Sequence, residues 1–222
     1  MSAPRMDDWR DGRPGGAGER GDSAPAAVVY FHGFRSSPAS FKSRRLARAL
    51  DDLELGDRFH SPSLPPSPSL AARLAIAVCQ VALNGADPAR ELVVVGSSLG
   101  GLYATVAAER LGCRAVLINP AVNAQRDLSG LVGTHTYFHD ESQSFEFLPG
   151  YVDELRALAP AGITRPERYF LIAATGDEVL DWREADAFYA GARKTIVQGS
   201  DHGLSDFEDH LPAILDFCGI AA

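Results

Sequence analysis

The stretch Glu91-Leu-Val-Val-Val-Gly-Ser-Ser-Leu-Gly-Gly101 restricts the fold more than any other part of the chain. Leu92 to Val95 is a short apolar, β-branched run, the signature of a strand buried on both faces. Gly96-Ser97-Ser98-Leu99-Gly100 follows at once and is a G-x-S-x-G pattern centred on Ser98. From Leu99 to Leu111 the apolar residues Leu99, Leu102, Tyr103, Val106, Ala107 and Leu111 share one helical face, and Gly112 stops the helix. A serine held between a buried strand and a helix sits in a nucleophile elbow. The glycines have a steric reason: bulky side chains two residues away would collide with so tight a turn. A Gly/Ser-rich turn without chemistry is the alternative, so partners for Ser98 have to be sought elsewhere in the chain.

The flanking segments repeat the theme. Ala26 to Phe31 is a buried strand running into His32-Gly-Phe-Arg-Ser-Ser-Pro38, where Gly33 permits a sharp turn with amides free to face a ligand. Without Ser98 this would be an ordinary strand-to-helix turn; with it, the Phe34 amide is a candidate oxyanion donor. Ser37-Pro38 predicts an N-cap and first helical residue, with the helix reaching about Leu50. A short strand is expected near Asp57–His60, then a proline-rich crossover at 61–67 and a second capped helix from Pro68. Leu70, Leu74, Ala77, Val78 and Val81 give that helix a core-facing stripe. Ala115–Ile118, Arg168–Ala174 and Thr195–Val197 read as further strands. Tyr151–Leu158 and Trp182–Ala190 read as helices, the latter capped by Asp181. Ser205 to Glu208 matches a capping box, and Pro212 interrupts the closing helix. Gln125 to Tyr151 is the least regular segment; its aromatic residues either line an acyl pocket or lid, or cover the core. Strands alternating with helices predict an α/β fold, a mostly parallel sheet with helices on both faces.

A serine hydroxyl needs a base, and the base needs an orienting acid. Such groups lie on loops at the carboxyl ends of the strands. Three loops carry them in the order Ser98, Asp177, His202, the order of α/β-hydrolases. His202 lies beyond the last strand between Gly199 and Gly203; His32 belongs to the oxyanion loop, and His60, His135, His139 and His210 lack a strand-end position. Asp177 follows its strand and Gly176 directly. Among its competitors, Glu178 reads as a surface carboxylate, Asp181 as a helix cap and Asp201 as a neighbour of His202 that points elsewhere. The backbone amides of Phe34 and Leu99 would complete an oxyanion hole, aided by the dipole of the helix that starts at Leu99.

The 222 residues suit one domain over residues 25–222, preceded by a Gly-, Arg- and Asp-rich tail over residues 1–24 expected to be disordered. A net charge of −8 argues against nucleic acid and anionic membranes. No apolar run reaches the ~20 residues of a membrane span, and Met1–Ser23 has no apolar core of a secretory signal. Cys79, Cys113 and Cys218 show no metal spacing and read as core residues of a protein in the reducing cytoplasm. No metal, nucleotide or other cofactor is expected, because neither a P-loop lysine nor G-x-G-x-x-G after the first strand is present.

His32-Gly-Phe-Arg-Ser-Ser-Pro38, Gly96-Ser-Ser-Leu-Gly-Gly101, Asn119-Pro-Ala-Val122, Thr175-Gly-Asp-Glu-Val-Leu-Asp181 and Asp201-His202 with Phe207-Glu208-Asp209 together resemble the YqiA-like esterases of bacteria. The resemblance spans about Val28 to Gly219 and implies a small α/β-hydrolase without a large cap domain. It implies Ser98 as nucleophile, Asp177 as acid and His202 as base, acting on small-molecule acyl esters or acyl thioesters. Arg35 departs from the asparagine frequent in the family, Gly203 from alanine, and Ala124–Tyr151 matches poorly, so substrate preference does not carry over. Two rivals stand beside an esterase: an amidase or acyltransferase with the same triad, and a non-catalytic binding protein on the hydrolase scaffold. Oligomeric state is not legible in the sequence.

Overall fold

The runs of β-branched and aromatic residues become six strands of one sheet. In the computed structural model, which describes residues 24–220, the elements follow in the order β1 (Ala27–Phe31), α1 (Phe41–Asp52), β2 (Phe59–His60), α2 (Pro68–Leu83), α3 (Pro88–Glu91), β3 (Leu92–Ser97), α4 (Leu99–Leu111) and β4 (Arg114–Ile118). There follow α5 (Ala124–Asp127), β5 (Gly133–Tyr137), β6 (Asp140–Phe147), α6 (Pro149–Leu158), β7 (Tyr169–Ala174), α7 (Trp182–Phe188), β8 (Arg193–Val197) and α8 (Phe207–Phe217). Residues 1–23 of the expected tail lie outside the described residues. The main sheet has the order β2-β1-β3-β4-β7-β8 and every pairing in it is parallel.

Strand alternation sorts the core into two layers. Val29, Val94, Ala115 and Tyr169 stand in register and face α2, α4 and α6. Val28, Val93, Val116 and Phe170 face the other way, against α1 and α8. Both faces are buried, as a parallel sheet requires. Among the described residues no helix is long and apolar enough to cross a membrane.

From β1 the chain crosses to the edge strand β2, then returns to β3 and proceeds the other way. The order therefore reverses between β1 and β3, and ligands of open α/β sheets bind at the carboxyl ends of strands at such a switch. The loop after β1 and the turn after β3 meet at this point.

Four local expectations are corrected. α1 starts at Phe41: Ser37 Oγ accepts from the Ala39 amide and the Ser40 amide bonds the Ser37 carbonyl, so Pro38 sits in a turn that precedes the helix. The buried face of α2 is Ala71, Ala72, Ala75, Cys79 and Leu83, whereas Leu70 is 49% and Val81 80% exposed. Small residues win there because α2 packs against α4 and α6, where side chains without bulk permit close approach. The capping box does not form, since the Ser205 amide goes to Asp201 Oδ1 and the Asp206 carboxylate accepts from Ser200 Oγ. α8 runs through Pro212, which forfeits one bond to the Glu208 carbonyl while buried Ile214, Leu215 and Cys218 hold the helix down.

The segment 125–151 is also more regular than expected. β5 and β6 form a separate antiparallel hairpin with a register shift between Thr136 and Tyr137. Its turn residues, Phe138-His139, carry none of the Asn-Gly chemistry that marks a tight hairpin in sequence. Phe34 packs edge-on against His135, Phe145 and Phe147, with centroids 5.1, 5.6 and 5.3 Å away. The hairpin is also fastened by Arg35, whose Nε donates to the Thr136 carbonyl at 2.8 Å and whose own carbonyl accepts from the Phe138 amide at 2.9 Å.

Candidate active site

Ser98 stands between β3 and α4 with φ of +56°, a backbone conformation that only the surrounding packing can enforce on a serine. The glycines around it have no room for a side chain. A Cβ on Gly96 would overlap the Gly100 carbonyl, one on Gly100 would overlap the Phe31 carbonyl, and one on Gly101 would strike Pro120. A Cβ on Gly33 would lie 3.1 Å from Ser98 Cβ and 3.5 Å from its hydroxyl oxygen. The loop after β1 thus presses directly on the turn after β3. Among the described residues the Phe34 and Leu99 amides have no backbone or side-chain acceptor, and α4 directs its free N-terminal N–H groups to the same place.

The other two expected side chains reach Ser98 from β7 and β8. Ser98 Oγ and His202 Nε2 are 2.9 Å apart. His202 Nδ1 lies 2.8 and 3.0 Å from the two oxygens of Asp177. The Asp177 side chain is 2% exposed, that of His202 20%. Asp177 Oδ1 also accepts from the Val179 and Leu180 amides, both at 2.8 Å. Burial works against ionisation of this carboxyl, but His202 and the two amides outweigh it and hold its pKa below the ordinary value. An ionised Asp177 selects the His202 tautomer with its proton on Nδ1, leaving Nε2 free to accept from the Ser98 hydroxyl.

The competing residues have other partners. Asp181 caps α7 by accepting from the Arg183 amide. Asp201 Oδ1 accepts from the Ser205 amide. Glu178 is more than a surface carboxylate, since it accepts from the His202 backbone N–H at 3.0 Å. His32 is buried: the Leu64 amide donates to its Nε2 at 3.1 Å, and Nδ1 faces the Gly33 carbonyl at 3.0 Å. Burial, reinforced by His139, lowers its pKa, so a neutral His32 pins the loop carrying Phe34 to the proline-rich crossover.

Asn119 has the largest structural role that the sequence reading missed. It is 3% exposed and follows β4. Its Nδ2 donates to the carbonyls of both Asp201 and His202 at 3.0 Å, and its Oδ1 accepts from the Ala174 amide at 2.8 Å. One carboxamide therefore joins the end of β7, which precedes Asp177, to the loop that carries His202. Two residues on, the Ala121 amide donates to the Ser98 carbonyl at 3.0 Å. The available signal was an asparagine directly between a strand and a proline: asparagine tolerates positive φ, and Asn119 adopts +41°. Of the seven non-glycine residues with positive φ among the described residues, five, Arg35, Ser98, Asn119, Ser200 and Leu204, lie around this site.

A cavity of about 590 Å³ opens over Ser98 and His202. Its lining includes the apolar Leu128, Leu131, Phe138, Val179 and Leu180, and the polar Ser36, Ser40, Lys42 and Asp127. His135 also lines it and is held by the Leu131 carbonyl at 2.5 Å. Burial pulls the Lys42 ammonium down to about 8, with Asp201 and Asp177 acting in the opposite direction.

Residues 27–219 match a family described as Uncharacterised protein family (UPF0227). Among solved structures, the chain is similar to one reported for the metagenome-derived lipolytic enzymes LipS and LipT, with 17% identity and a TM-score of 0.64 over 88% of this chain and 94% of that one. It is similar to Est1E from Butyrivibrio proteoclasticus with ferulic acid bound, at 14% identity and a TM-score of 0.60 over 90% and 88%. It is also similar to a hyperthermophilic esterase from the archaeon Pyrobaculum calidifontis, at 22% identity and a TM-score of 0.58 over 90% and 77%. At these identities the likeness is one of architecture, and the fold is that of the α/β-hydrolases.

Proposed function

The chain belongs to UPF0227, the YqiA-like family, and from that membership and the contacts above we propose that it is a serine esterase acting on carboxylic acyl esters or thioesters. The observation that carries this reading is the unbroken hydrogen-bond chain from Ser98 through His202 to Asp177. Its supports are the unpartnered amides of Phe34 and Leu99, the adjoining cavity, and the esterases and lipolytic enzymes that share the fold.

In the proposed reaction Ser98 Oγ attacks the acyl carbon while His202 Nε2 takes its proton. The carbonyl π electrons move onto oxygen, which the Phe34 and Leu99 amides and the α4 N-terminus stabilise. Collapse of this intermediate breaks the bond to the leaving oxygen or sulfur, which takes the proton from His202. Water then attacks the acyl-Ser98 ester, gives a proton to His202, and the second collapse releases the acid and returns the proton to Ser98. Asp177 stays ionised throughout and stabilises the imidazolium. Three free buried cysteines, with burial pushing each thiol up to about 12, support a cytoplasmic setting for a single domain over residues 25–222.

The test is labelling by a fluorophosphonate, read by intact mass, on wild type, Ser98→Ala and Ser97→Ala. The expected result is one adduct on wild type and Ser97→Ala and none on Ser98→Ala, with ester turnover following the same pattern. Undiminished turnover in Ser98→Ala would overturn the assignment.

A further inference from the structure

The chain has two lysines, Lys42 and Lys194, against many arginines. Lys194 is paired with the Asp186 carboxylate. Lys42 lies in the wall of the cavity that holds Ser98 and His202, and its Nζ donates to the Gly203 carbonyl at 2.5 Å. No carboxylate among the described residues lies within ion-pairing distance of it. An ammonium has three donors, so two remain for a guest. Around it stand the hydroxyls of Ser36, Ser40 and Ser205 in the same cavity. Ser40 Oγ is closed off from solvent beside the Tyr30 hydroxyl and has no well-aligned partner. Arg35, another cation of this wall, is already committed to the Thr136 carbonyl and to the face of Phe138.

The position of Lys42 relative to His202 gives the polar wall a direction. Its anchor, Gly203, is the residue after the base. His202 must hand its proton to the leaving atom, so the leaving group lies on the base's side of Ser98. Leu128, Leu131 and Phe138 then form the acyl side. Resting on the esterase reading above, we propose that the alcohol or thiol part of the substrate carries an anionic group, a carboxylate or a phosphate, which the Lys42 ammonium binds while the acyl chain lies on the apolar wall. A partly exposed ammonium in a cavity wall, with two donors to spare and no carboxylate partner among the described residues, is completed by an anion through charge-assisted hydrogen bonds.

The experiment compares butyryl esters of three phenols: para-hydroxybenzamide, para-hydroxybenzoate and para-hydroxyphenyl phosphate. The last two separate a carboxylate from a phosphate. Wild type is expected to favour at least one anionic ester over the amide in kcat/KM by on the order of tenfold, mainly through KM, and added salt should erode that ratio. Lys42→Met should bring the ratio to near one, and Lys42→Arg should keep most of it. A wild-type ratio near one for both anions overturns the proposal, as does a ratio that survives Lys42→Met. If Lys42→Met does not fold, the wild-type ratio and its response to salt decide: a preference indifferent to salt overturns it equally. Fluorophosphonate labelling of the same samples separates the two levels. Absence of a Ser98 adduct on wild type defeats the esterase reading, whereas normal labelling without a charge preference defeats this inference alone.

Discussion

Replacing Asn119 tests how the site is held together. Asn119→Gly removes two donated, partly buried hydrogen bonds and one accepted, buried bond, while keeping a residue suited to a φ of +41°. At ~1 kcal/mol per net hydrogen bond the loss is about 3 kcal/mol, reduced where water enters the vacated space. Asn119→Ala should lose ~1 kcal/mol more, because alanine bears the left-handed backbone poorly. The carbonyls of Asp201 and His202 also lose their anchor, and the imidazole loses definition relative to Ser98. Misplacement of a reacting group by ~1 Å costs up to about 10²-fold, so a 10- to 100-fold fall in phosphonylation rate is expected. Urea unfolding with an unchanged slope measures the first effect, and stopped-time labelling of Ser98 the second. A glycine variant within ~0.5 kcal/mol of wild type, labelling at the wild-type rate, would refute this account of Asn119.

Three other predictions follow from buried groups. Because the Asp177 pKa is lowered by folding, its ionisation stabilises the native state above the unfolded value near 3.8 and that contribution is lost as pH falls through the folded value. The Tm gap between wild type and Asp177→Asn should therefore narrow as pH falls below about 4; a gap that widens there contradicts the sign. Gly100→Ala drives a methyl into the Phe31 and His32 carbonyls and should cost more than ~3 kcal/mol, seen as loss of soluble protein or a large fall in Tm. In Tyr189→Phe, Thr105 keeps its bond to the Gly101 carbonyl and loses only the 2.7 Å contact with the Tyr189 hydroxyl, so unfolding should shift by ~1 kcal/mol.

The central strands β1, β3, β4 and β7 were legible because burial on both faces leaves continuous apolar runs such as Leu92–Val95, whereas half-exposed β8 showed only Thr195–Val197; the glycines beyond these strands locate the loops that carry Ser98, Asp177 and His202. The hairpin was not legible. Its exposed strands mix Ser, Glu, Asp and Gln with aromatics, and its stability comes from Phe34 and Arg35, about a hundred residues earlier. The face of α2 was misread because apolar periodicity follows the larger side chains, whereas close helix packing selected alanines and Cys79. Asn119 and Lys42 act through contacts with backbone carbonyls on distant loops, which no local pattern encodes.

The fastening of β5 and β6 to Phe34 and Arg35 makes the roof of the cavity and one wall of the proposed oxyanion hole a single mechanical part. Selectivity for acyl size and reaction rate are then not independent traits in this molecule. A substitution that enlarges the cavity at His135 or Phe138 also loosens the seat of the Phe34 ring or the hold on Arg35, and hence the Phe34 amide. Directed evolution toward bulkier esters through those positions should lose speed even on the smallest ester, and variants that restore it should lie in residues 33–36, away from the enlarged wall.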